Sequence, residues 1–122
     1  MSREVIEKYL ASWQTHDQEA WLSLFAETAV LNDPAGTPPH RGKDAIRSFW
    51  NQVHLPFNYE PKIHKFVEAG NEILCHFTME SRGPDGAGMA IDIIDIFTFN
   101  TEDQIVELKA FWDQRCVKPI LS

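Results

Sequence analysis

Cysteine is scarce in this chain: Cys75 and Cys116 are the only two. They lie far apart, with no CxxC and no Cys/His ligand spacing, so neither a disulfide framework nor a zinc site is signalled, and each reads as a small buried apolar residue. Basic residues are also few, 11 Lys and Arg against 18 Asp and Glu, for a formal charge of −7. That balance argues against a nucleic-acid backbone or an anionic membrane as the main partner, because both are bound through clustered Lys and Arg. Arg41, Lys43 and Arg47 form a small basic group that reads as a solvated face. No apolar run approaches the length of a bilayer span, and the opening MSREVIEKYL carries charges where a signal peptide has an apolar stretch. No GxSxG, P-loop or dinucleotide fingerprint occurs, and the chain has no internal repeat or low-complexity run. Histidines 16, 40, 54, 64 and 76 show no pair at ligand spacing, so no metal is assigned. The expectation is a soluble, reduced, cytoplasmic protein forming one domain over residues 1–122.

What is present is a well-patterned apolar content, 43% of residues with 11% aromatic, enough for a sizeable core. Val5, Ile6, Tyr9, Leu10 and Trp13 recur at helical spacing, so residues 3–15 read as an amphipathic helix with Ser2 as a cap. Asp17 caps a second short helix carrying Ala20, Trp21, Leu24 and Phe25. A short strand at Ala29 to Asn32 leads into the DPAG turn, and Gly42 with Asp44 opens a third helix that ends before Pro56. Beyond Pro56 the period changes to two. Tyr59 to Ala69, Glu72 to Arg82, Met89 to Asn100 and Gln104 to Val117 read as four strands joined by turns at Gly70-Asn71, GPDGAG and Asn100 to Asp103. Helices first and an antiparallel meander afterwards is an α+β order.

Three polar residues stand out against this pattern. Asp33 precedes Pro34 in LNDPAGTPP and lies three residues before Gly36, which is ordinary turn chemistry. A carboxylate at a strand's end is also a place to hold a base over a pocket. Asp95 falls in mid-strand in IDIIDIFTF, on the face of Ile93, Phe97 and Phe99, whereas Asp92 points to the other face. An ionised carboxylate on an apolar, buried face is costly, so Asp95 is exposed, is paired, binds a metal, or keeps its proton and donates a hydrogen bond. Tyr9 sits on the apolar stripe of the first helix, either as a core tyrosine whose hydroxyl meets a backbone carbonyl or as a second donor.

The order of elements, with Tyr9 in EKYLASW, Asp33 in NDPAG and Asp95 in IIDIFTFN, resembles the ketosteroid isomerase branch of the NTF2-like superfamily, which includes the SnoaL-like polyketide cyclases. The resemblance spans about Val5 to Arg115, with further similarity in GKDAIRSFW and HLPF. It implies a cone-like fold of three N-terminal helices on a curved, mainly antiparallel sheet, and a homodimer formed through the outer sheet face. It also implies a steroid delta-isomerase-like activity on a small hydrophobic carbonyl compound. In that family a carboxylic acid is kept neutral in its site to donate a hydrogen bond, so the resemblance makes Asp33 the base and Tyr9 and a protonated Asp95 the oxyanion donors. No metal or organic cofactor is needed for that chemistry. Phe25, Trp50, Phe77, Met79, Phe97 and Trp112 are the candidate apolar lining.

The chain departs from that family at Trp50 and Phe25, where the isomerases carry further tyrosines, and at Ile96, where they tend to have histidine. An indole N–H donates but cannot accept, so the network around Tyr9 must differ. The alternatives that remain are a SnoaL-like cyclase and a non-catalytic ligand-binding or dimerisation module.

Overall fold

In the computed structural model, which describes residues 2–121, the first apolar stripe folds as its spacing predicts: Ile6, Tyr9 and Leu10 are buried in α1 (Ser2–Gln14), with Arg3, Glu7 and Lys8 exposed. Ser2, expected as the cap, is itself helical, and its hydroxyl donates to Asp103 Oδ1 at 2.8 Å. Asp17 does cap α2 (Gln18–Leu22), accepting the Ala20 N–H at 3.0 Å. That helix is shorter than expected. Phe25 belongs instead to β1 (Phe25–Asn32), because the chain pairs in parallel with β6 (Ile105–Phe111) from Phe25 onward and Ile105 donates its N–H to Leu24 O at 2.9 Å. This long-range pairing overrides the local helical spacing.

After the short β2 (His40–Arg41), Gly42 turns the chain at φ +84° into α3 (Lys43–Val53), a left-handed conformation that favours glycine. The strands β3 (Asn58–Ala69), β4 (Glu72–Arg82), β5 (Gly88–Phe99) and β6 pair antiparallel in sequence, as the turns between them predict. The expected strand from Gln104 to Val117 is in fact two. It breaks after Phe111, where Asp113 accepts the Arg115 N–H at 2.9 Å and starts a 3₁₀ turn (Gln114–Cys116). The chain then returns as β7 (Val117–Ile120) on the same edge of β5, so that β6 pairs Ile94 to Phe99 and β7 pairs Gly88 to Ile91.

The result is an α+β fold with three helices against a mainly antiparallel, seven-stranded sheet of order β2-β1-β6-β5-β4-β3, with β7 beside β5. Alternation places Ile73, Cys75 and Phe77 of β4, and Asp95, Phe97 and Phe99 of β5, on the inner face beneath the helices. Burying a side chain such as Phe97, fully enclosed here, contributes about 1.5–3 kcal/mol. No helix among the described residues is long and apolar enough to cross a membrane.

Close packing of β4 on β5 leaves no room at Gly88, where a Cβ would lie 1.8 Å from Ser81 O. Gly88→Ala is therefore expected to destabilise the fold by about 1–3 kcal/mol, the usual range for overpacking, with the loss read by urea denaturation.

Candidate active site

β1 and β6 run side by side to the pair Asn32 and Lys109, and the chain turns at Asp33 immediately beyond. The turn is tied down by Ala35 N–H to Ala110 O at 2.7 Å, Asn32 Nδ2 to Thr37 O at 2.6 Å and Thr37 N–H to Pro34 O at 3.2 Å, and the Asp33–Pro34 peptide is cis. Those hydrogen bonds fix the chain on both sides of Asp33. Its carboxylate accepts the Trp112 indole N–H at 2.9 Å, and Trp112 is the residue at which β6 breaks off. Burial raises the Asp33 pKa above the ordinary value, while the Trp112 hydrogen bond and the nearby His40 hold it down. The outcome is a carboxylate more basic than an exposed aspartate yet still supported in its charged form.

Asp95 is treated differently. It sits at mid-strand on the buried face, only 3% exposed, between Cys75 of β4 and Ala110 of β6. Those two neighbours are small, so the strand surface is hollow at this point. Asp95 Oδ1 finds no hydrogen-bond partner among the described residues. Burial first, and then the charge of Asp33, push its pKa well above the ordinary value. The neighbouring Cys75 thiol is likewise pushed up to about 12 by burial and by Asp95. A carboxyl in such a position is stable as the neutral acid, which leaves an O–H able to donate.

Tyr9 reaches the same place from α1, held by edge contacts to Phe97 and Phe25 at ring separations of 5.3 and 6.2 Å. Burial, Asp95 and Asp33 raise its pKa well above that of a free phenol. The neighbouring indoles of Trp21 and Trp13 oppose that rise, although Trp21 Nε1 has no hydrogen-bond partner among the described residues. Because an indole only donates, these neighbours leave the phenolic proton free to point elsewhere.

All three groups line one hollow of about 450 Å³ between the helices and the inner sheet face. Phe77, Met79 and Trp112, expected as lining, are in its wall, as are Phe49, Phe57 and Ile93. Phe25, Trp50 and Phe97 are not among the lining side chains. Phe25 and Phe97 are fully buried behind Tyr9, and Trp50 packs against Trp13, Trp21 and His54 at ring separations of 4.5, 5.0 and 4.1 Å. Periodicity identifies them correctly as apolar but does not separate the cavity wall from the layer beneath. The roles of Trp13 and Trp21 beside Tyr9, and of Trp112 as a donor to Asp33, carry no sequence signal beyond the presence of an indole. Val53, Leu55 and Met89, each at least 41% exposed, form an apolar rim. A volume in this range, a mostly apolar wall and a few converging polar groups suit a small lipophilic ligand. A second and more open hollow, about 710 Å³, lies across the sheet and contains none of the three.

A family model described as SnoaL-like domain matches residues 6–108. The steroid delta-isomerase of Nocardioides simplex is 29% identical over 118 residues, covering 92% of each chain. Among solved structures, the delta 5-3-ketosteroid isomerase from Mycobacterium sp. superposes with a TM-score of 0.86 at 20% identity over 98% of both chains. The epoxide hydrolase/cyclase-like enzyme SalBIII superposes with a TM-score of 0.84 at 21% identity, over 95% of this chain and 93% of its own. These structural likenesses establish the cone fold of the NTF2 and ketosteroid isomerase group.

The raised pKa of Asp95 affects stability with a definite sign. Well below pH 3.8 the group is neutral in folded and unfolded chains alike, so pH has no leverage there. Above that value the unfolded chain ionises while the folded one does not, and stability falls with rising pH by at most about 1.4 kcal/mol per unit until the folded pKa is reached. Asp95→Asn removes this penalty. Its stability relative to wild type is expected to improve as pH rises above about 4 in parallel denaturation series, whereas an offset independent of pH would mean Asp95 ionises normally.

Proposed function

The chain belongs to the SnoaL-like domain family, and on that premise we propose that it is an isomerase that moves a proton within a small, lipophilic carbonyl compound through an enolate. The observation that carries the reading is the gathering of Tyr9, Asp33 and Asp95 around one apolar hollow with the two carboxyls in opposite environments. In this mechanism Asp33, ionised, takes a proton from the carbon beside the carbonyl. The electrons of the broken C–H bond move into the carbonyl, and the oxygen acquires negative charge. Tyr9 and the neutral Asp95 donate hydrogen bonds to that oxygen. Asp33 then returns the proton to another carbon of the same molecule, and no net proton is gained or lost.

Each environment suits its part. A base is more effective as its pKa approaches the working pH, and burial moves Asp33 in that direction. Donors fixed in a dry site favour the charged transition state over the neutral ground state, since they need no reorganisation when charge develops. Proton transfer at carbon between these groups calls on no metal or organic cofactor. The likeness to the Nocardioides simplex enzyme, a steroid delta-isomerase, supports the same class of reaction at 29% identity. The SnoaL-like match favours a second reading, ring closure, in which the same base forms the same enolate but its carbon attacks a second carbonyl of the substrate, whose π electrons pass to its oxygen, which takes back the proton held by Asp33.

A panel of unsaturated ketones deuterated beside the carbonyl tests the proposal. Wild type is expected to strip deuterium from the labelled carbon, by relocation within the product or exchange with water, and Asp33→Asn to lose about 10²–10⁴-fold of that rate, the usual contribution of a positioned base, while still binding a flat phenol as an enolate mimic. Exchange retained in Asp33→Asn contradicts the base. A rearranged double bond identifies the isomerase, and a cyclised product the second reading.

A further inference from the structure

Across the sheet from the apolar hollow, three adjacent strands bring together side chains that lie far apart in sequence. His76 of β4 and Asp92 of β5 both face outward, and their Nε2 and Oδ1 atoms are 2.9 Å apart. His64 joins them from β3 because of an irregularity in pairing: Ile63 aligns with Phe77, but Lys65 aligns with His76, so His64 is the extra residue of a bulge. Bulges re-aim side chains, and this one turns His64 onto the outer face, where its Nε2 lies 2.7 Å from Thr78 Oγ1. Thr78 in turn donates to Asp92 Oδ1 at 3.3 Å. One ligand atom from each of His64, His76 and Asp92 falls within a mutual separation of 4.8 Å.

From this juxtaposition we infer that His64, His76 and Asp92 form a binding site for a zinc-class divalent cation. A tetrahedral ion with bonds of about 2.0–2.2 Å requires donor atoms about 3.4 Å apart, so the 2.9 Å His76–Asp92 pair must open slightly and the wider separations, within 4.8 Å, must close, which the exposed side chains of His64 and Asp92 allow. Two imidazoles and a carboxylate select zinc and its transition-metal neighbours over magnesium or calcium, which demand oxygen ligands. Three protein ligands leave a fourth position open to water or an anion. Thr78 Oγ1 lies beside the ligands, in contact with His64 Nε2 and donating to Asp92 Oδ1. Of the cations lining the same hollow, Arg115 is paired with Asp113 at 2.7 Å, and Lys118 is also in the wall. The site is independent of the proposed isomerase chemistry, from which the sheet itself separates it.

Isothermal titration of the chelator-treated chain with ZnCl₂ tests the inference. One zinc per chain is expected, with no uptake of magnesium from MgCl₂. Loss of an oriented ligand costs at least as much as loss of its hydrogen-bonding partner, so His64→Ala, His76→Ala and Asp92→Asn should each weaken binding about tenfold or more. Cys116→Ser and His16→Ala should leave it unchanged. Absence of zinc binding in the folded wild type, or wild-type affinity in all three ligand variants, overturns the site. Should a variant fail to fold, Co²⁺ absorption of the wild type decides independently: d–d bands without a thiolate charge-transfer band support nitrogen and oxygen ligation, and a thiolate band refutes it.

Discussion

The organising constraint of this protein is the price of putting a charge on Asp95. Its carboxyl lies on the inner face of the sheet, flanked by Cys75 and Ala110, with one oxygen lacking any partner among the described residues. Ionisation there would leave an uncompensated charge in an apolar medium, so burial pushes its pKa well above the ordinary value and favours the neutral acid. Much of the surrounding arrangement is consistent with that state. Small neighbours leave space above the carboxyl in place of a counter-ion, Tyr9 of α1 lines the same hollow, and the charge of Asp33 adds to the upward shift.

Asp33 resolves the opposite problem. It is partly buried, yet the Trp112 indole supplies a donor for its charged form. That indole is available because β6 ends at Phe111, and the Asp113 turn then carries the chain to a different stretch of β5. A break in one strand therefore serves both topology and electrostatics. The alternation of β5 does similar double duty, setting Asp95 toward the apolar hollow and Asp92 toward the outer face only three residues away.

Features set by local periodicity can be read from the chain directly. The stripe that buries Tyr9, the caps and turns that divide the elements, and the alternation that places Asp95 with Phe97 and Phe99 are all short-range patterns. What escapes such reading depends on partners remote in sequence. Phe25 looks helical beside Trp21 but is drawn into β1 by parallel pairing with Ile105. Trp112 looks like one more apolar strand residue, and its role toward Asp33 exists only after β1 and β6 align. His64 and His76 show no ligand spacing along the chain, yet a hairpin and a bulge make them neighbours with ring centroids 4.9 Å apart. The convergence of Tyr9, Asp33 and Asp95 is suggested by resemblance to a family, because no single segment contains more than one of them.

The central claim is that one carboxyl of the cavity is neutral while the other carries charge. Carbon-13 NMR of the aspartate side chains, titrated across the range in which the protein stays folded, measures this directly. The account predicts that the Asp95 carboxyl keeps the chemical shift of a protonated acid at pH 7 while Asp33 has already ionised. An Asp95 resonance that titrates at or below that of Asp33, leaving it anionic at neutral pH, would contradict it.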